Sequence, residues 1–93
     1  MTLLRPATHI AVEERDDIVY IAPLPDGPIR VLEGIAALIW REACAGPAET
    51  IAERVLAQVE GAPGDAPSVI ESLVADLRQS GMLMPGPGEP GGA

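Results

Sequence analysis

A single histidine, His9, and a single cysteine, Cys44, are the only imidazole and thiol in the chain. A cysteine nucleophile needs a base held against it, and no alternation or helical period brings these two together. His9 is expected as a solvent-facing strand residue. Cys44 is expected to pack as a small hydrophobe near the end of a helix. Carboxylates are plentiful but dispersed, and Glu13, Glu14, Asp16 and Asp17 crowd one short stretch. Such a cluster without a histidine or an ordered ligand spacing reads as a solvated turn, not a cation site. The glycines follow neither a phosphate-loop nor a dinucleotide-binding pattern. No catalytic, metal or cofactor site is therefore expected, and the chain reads as a binding protein and not an enzyme.

The totals narrow what it binds. The 93 residues carry 14 acidic and 6 basic side chains, a formal charge of -8. Proteins that grip nucleic acid neutralise phosphates with Lys and Arg, and an anionic membrane surface makes the same demand, so neither is an expected partner. A lone cysteine allows no intrachain disulfide. MTLLRPATH lacks the long apolar region of a signal peptide, and no apolar run approaches the roughly 20 residues that span a bilayer. A soluble, cytoplasmic, single domain is the expectation. One Trp, one Tyr and no Phe leave the core to Leu, Ile, Val and Ala.

The elements that must position a binding surface follow from the hydrophobic period. Ile10 and Val12 alternate with polar neighbours over residues 9–13, Glu14 to Asp17 interrupt, and Ile18, Val19, Tyr20 and Ile21 form a second strand over 17–22. PLPDGP, residues 23–28, is a turn by composition, and a third short strand covers 29–32. The period then changes to about 3.6. Ile35, Leu38, Ile39 and Ala43 mark a first helix, with Trp40 beside that stripe. Pro47 and Glu49 open a second helix, whose apolar face is Ile51, Val55, Leu56 and Val59. Asp65 is a plausible N-cap for a third, whose core stripe is Ile70, Leu73, Val74 and Leu77, with Gly81 as its stop. Met82, Leu83 and Met84 should return to the core. Residues 85–93, PGPGEPGGA, have too little apolar surface to offset the entropy of ordering them and read as a disordered tail. The expectation is an α+β fold in the order β-β-β-α-α-α. It is a three-stranded antiparallel sheet followed by three helices, similar to a winged helix-turn-helix, in one domain over 1–84.

Two features then suggest a site. A three-stranded meander leaves its outer strands unpaired, and the edge formed by Ile29, Arg30, Val31 and Leu32 can accept an extended peptide. The third helix also carries apolar residues beside its core stripe, so Val69 and Leu73 are placed to wall a groove next to that edge. At this point they serve equally well as core, and Pro28 and Arg30 as protection of an edge against aggregation.

The chain resembles the PqqD-like family, the RiPP recognition elements that bind leader peptides of ribosomally synthesised and post-translationally modified peptides. Leu32 is followed after four residues by Ala37, Ile39 and Trp40. Thr50-Ile51-Ala52 lies at the start of the second helix. Ile70, Leu73, Val74 and Leu77 are followed by Gly81-Met82-Leu83. The match extends over about residues 9–84. The resemblance implies a winged helix-turn-helix that takes a leader peptide as an extra antiparallel strand on the third strand. Ile29, Arg30, Val31 and Leu32 then supply the edge, while Val69, Leu73 and Asp76 bound the groove and select side chains. Trp40 holds the first helix beneath the sheet. It also implies a partner enzyme, a leader peptidase or a peptide-modifying enzyme. Lasso peptide biosynthesis is the first choice of pathway, pyrroloquinoline quinone biosynthesis the second and a radical-SAM-modified peptide the third. Two other readings stand beside this one. A DNA-binding winged helix would have Arg78 as the only basic residue of its recognition helix, and an assembly subunit would pair two edge strands in a homodimer.

Overall fold

The computed structural model describes residues 3–86. They form an α+β fold in which a three-stranded antiparallel sheet is followed by three helices. A second, two-stranded sheet joins the ends of the described chain. Its strands, β1 (Leu4–Pro6) and β5 (Leu83–Pro85), pair antiparallel. Neither was expected from the sequence, because three residues are too few to display an alternation. The return of Met82 and Leu83 to the core was expected, and both are buried there. Pro85 thus lies in a strand, and the Gly86 N–H donates to the Leu3 carbonyl at 2.6 Å. Residues 87–93 of the expected tail lie outside the described residues.

The main sheet runs β2 (Ile10–Arg15), β3 (Ile18–Pro23), β4 (Arg30–Leu32). Glu14 and Arg15 belong to β2, so the turn is shorter than the sequence suggested. Asp16 and Asp17 alone make it, with φ of 51° and 65°. Two positive φ values in a two-residue turn match the right-handed twist of the strands, and Asp tolerates the left-handed region better than most residues. The alternation of β3 is as expected, with Val19 and Ile21 buried and Ile18 and Tyr20 half-buried on the other face.

α1 (Ile35–Ala45) starts at Gly34, whose φ of 59° with ψ of -126° lies where a Cβ is strained. That conformation turns the chain from β4 into α1 within two residues. The helix buries Ala37, Ile39, Trp40 and Ala43. Trp40 is therefore in the core instead of beside it, and Ile35, expected on the stripe, is 38% exposed. Pro47 opens a 3-10 turn, Ala48–Thr50, before α2 (Ile51–Leu56) begins, and Ile51 and Val55 are buried. Arg54 ties α2 to the end of α1. Its Nε donates to Glu42 Oε1 at 3.0 Å, Nη2 to the Glu42 carbonyl at 2.6 Å and Nη1 to the Pro47 carbonyl at 3.0 Å. Gln58 donates to the other Glu42 oxygen at 2.8 Å. The Gln58 hydrogen bond first, then Arg54, holds the Glu42 carboxyl below its ordinary range.

α3 (Ala66–Gln79) follows Asp65, which occupies the cap position without a side-chain cap bond. The helix buries Ala66, Ile70 and Leu77, with Leu73 and Val74 half-buried against the core. It ends as the sequence predicted. Gly81 has φ of 79°, its N–H donates to the Arg78 carbonyl at 3.1 Å, and the Met82 N–H donates to Leu77 at 2.9 Å. This is the Schellman arrangement, in which a left-handed glycine lets two terminal carbonyls find donors. α1 is the central element and touches α2, α3, β1, β3 and β4.

Candidate functional site

The two edges of the main sheet differ in chemistry. The β2 edge carries Glu13, Glu14 and Arg15. Arg15 pairs with Glu13 at 2.8 Å, and Arg41 of α1 reaches Glu14 at 2.5 Å. Charges on an edge discourage strand addition. The β4 edge is the reverse. Ile29 is 63% exposed and Val31 45%; Ile35 at the start of α1 is exposed as well, as is Val69 on α3. Three of the six exposed large hydrophobics among the described residues, Ile29, Val31 and Ile35, lie in the seven residues around β4.

The two-residue turn decides which backbone groups this edge offers. In such a hairpin the residues flanking the turn, Arg15 and Ile18, are a hydrogen-bonded pair. Hydrogen-bonded and non-hydrogen-bonded pairs then alternate, and the Leu24 N–H donating to the His9 carbonyl at 2.8 Å keeps that phase. Ile18, Tyr20 and Ala22 therefore direct their peptide groups to β2, and Val19 and Ile21 direct theirs to β4. Their partners are Leu32 and Arg30. The groups of Val31, opposite Tyr20, must point the other way, to the free edge. The same phase explains why β4 begins at Arg30 and leaves out Ile29, which the sequence reading had included. The next hydrogen-bonded pair would join Pro23 to Pro28, and neither has an N–H to give.

Opposed residues share a face of the sheet. Arg30 and Leu32 thus lie on the inner face with Val19 and Ile21, while Val31 lies on the outer face with Tyr20. Leu32 is 3% exposed and belongs to the core, so its side chain offers an incoming peptide little. Arg30 does not decorate the edge but crosses to α3, where its Nη2 meets Asp76 Oδ2 at 2.5 Å. Val69, Leu73 and Asp76 recur at four- and three-residue spacing and so occupy one face of α3, the face the ion pair ties to β4. Val69 is half-exposed and outside the core, whereas Leu73 is half-buried against it. The two therefore separate: Val69 is available surface and Leu73 joins surface to core. The ion pair thus joins the open-edge strand to the α3 face that carries Val69 and Leu73. The signal for Arg30–Asp76 is absent from the sequence, where the two residues stand in different elements.

The remaining chemistry is sparse. His9 is exposed, just before β2. Cys44 is exposed and not packed as a buried hydrophobe. Its thiol is nonetheless pushed up to about 11, by desolvation first and then by the charge of Glu14, so it is a thiol and not a thiolate at neutral pH. No group of three His, Cys, Asp or Glu residues among the described residues is placed to hold a metal ion. A second concavity, of about 380 Å³, lies on the opposite side of α3, lined by Ala48, Ile51, Ala52, Val74 and Arg78 among others. No helix among the described residues is long and apolar enough to cross a membrane.

No family profile matches the chain, and no curated protein sequence is similar to it. A solved structure is similar: TbiB1 in complex with the TbiA(beta) leader peptide. It superposes with a TM-score of 0.71 over 85% of this chain and 93% of that one, at 16% identity. The two proteins share a fold.

Proposed function

We propose that this chain captures the leader region of a ribosomally made precursor peptide. The leader adds as a further antiparallel strand to β4, and its inward side chains lie against Val69, Leu73 and Asp76. The single observation that carries this reading is the edge itself. The Val31 N–H and C=O have no strand to pair with among the described residues, and exposed apolar side chains flank them where the opposite edge is charged. Ile29 would add apolar contact at the start of the strand. Arg30 and Leu32 act from below it, and Leu32 fixes the edge to the core. The shared fold with a protein solved in complex with a leader peptide supports the assignment of ligand class.

The captured leader is presented to a separate enzyme, a leader peptidase or a peptide-modifying enzyme. Lasso peptide biosynthesis is the pathway we favour, ahead of pyrroloquinoline quinone and radical-SAM peptide pathways. The test is calorimetric titration with the leader half of a short precursor peptide encoded beside this protein, with duplex DNA as control. Saturable one-to-one binding of peptide and none of DNA is expected. A well-folded chain that ignores the peptide and forms dimers through β4 would replace this reading with that of an assembly subunit.

A further inference from the structure

The Arg30–Asp76 ion pair assigns a chemistry to one position of the ligand. This inference rests on the strand-addition reading above. An antiparallel strand on β4 places one residue directly opposite Val31, joined to it by both outward peptide groups. That residue's side chain falls on the outer face. The preceding residue then stands opposite Leu32 and the following one opposite Arg30, both on the inner face toward α3. Opposed side chains on neighbouring strands lie close, roughly 4.5–5.5 Å between Cβ atoms, so each such pair is a contact.

Leu32 is buried in the same core against which Leu73 packs, so the residue opposite it meets apolar surface. The residue opposite Arg30 meets a guanidinium. Asp76 engages it through Nη2, and a guanidinium has five N–H donors in a planar fork. The Arg30 side chain is 31% exposed, which leaves it accessible from the strand side. We propose that the bound peptide carries an acidic side chain opposite Arg30, two residues after an apolar side chain opposite Leu32. A basic residue there faces a like charge across the strand pair, which is destabilising. Asp76 offsets part of the Arg30 charge locally, and the rest of the net charge of -8 acts at longer range, where salt screens it beyond about 8 Å. The contact pair therefore decides the preference.

The experiment selects binders from a random-peptide display library on the full chain, then scans each position of a binder with Glu, Lys and Ala. The binders used are those that lose affinity with Val31→Pro. One position is expected to favour Glu over Lys by about threefold or more, two residues after the apolar position most damaged by Ala. In Arg30→Gln that preference should vanish while the rest of the scan is unchanged, and in Arg30→Glu it should reverse. Circular dichroism accompanies both variants, because Arg30→Glu places a second carboxylate beside Asp76. A Glu preference that survives Arg30→Gln, or no charge preference in binders that depend on Val31, would overturn the assignment and leave strand addition standing. Binders indifferent to Val31→Pro, or none from a folded chain, would overturn strand addition and this assignment with it.

Discussion

Replacing Val31 by proline separates the role of the edge from the stability of the fold. The Val31 N–H points away from β3, so the substitution removes no hydrogen bond from the β3–β4 ladder, which runs through Arg30 and Leu32. Arg30 already has the extended conformation that a residue before proline prefers. The cost to folding is the shift of φ toward -65° and the loss of a side chain 45% exposed, together about 1 kcal/mol. Peptide binding loses more. One ladder bond of about 1 kcal/mol disappears, and the proline ring sits where a ligand carbonyl seeks a donor, leaving that carbonyl unpaired at about 1–2 kcal/mol. A loss near 2 kcal/mol is about a 30-fold weaker dissociation constant. Val31→Ala keeps the N–H and should bind within about threefold of the parent, since only partly exposed apolar area is lost. Calorimetry gives the affinities, and hydrogen exchange checks the phase. The Val31 amide should exchange quickly in the free protein and slowly with peptide bound, whereas the Arg30 and Leu32 amides should be slow in both. A folded Val31→Pro protein with unchanged affinity, or a Val31 amide protected without peptide, would refute the reasoning.

Other expectations concern the scaffold. Because Gln58 and Arg54 hold the Glu42 carboxyl low, its contribution to stability is complete above the ordinary glutamate value of 4.5. It is lost as the pH falls through the lower folded value. Glu42→Gln should flatten the acid limb of a plot of melting temperature against pH, and an unchanged limb would exclude the network as its source. Arg54→Ala should cost about 2 kcal/mol in urea unfolding, since it leaves Glu42 and two backbone carbonyls without that donor. Gly34→Ala should cost about 1–3 kcal/mol. The added Cβ meets nothing within 4 Å, so the penalty is conformational and a neutral result would refute it. A chain ending at Met84 loses the Leu4–Pro85 pair and the Gly86–Leu3 bond and should melt lower. One ending at Gly86 should match the full chain in stability and in peptide affinity.

Much of this protein was legible from local signals. Alternation over Ile18 to Ile21 specified which face of β3 is buried, because a strand's side chains change sides at every residue. Helical spacing found the buried stripe of α3, and Gly81 marked its end, because a residue with left-handed φ is cheapest as glycine. The exposed edge followed from strand count.

What the tertiary structure decided are pairings between residues distant in the chain. β1 and β5 form because Leu4 and Leu83 are both buried against the same core, a coincidence no local pattern records. The rotation of α1 that buries Trp40 and exposes Ile35 is set by helices and strands on several sides of it, not by its own period. Arg30 looked like edge protection in the sequence and became the bridge to Asp76. Its side chain takes the inner face because the β3–β4 register sets it opposite the buried Ile21. Composition and local period pointed to a binding surface, whereas the phase of one two-residue turn determined which amide faces the open edge of the sheet.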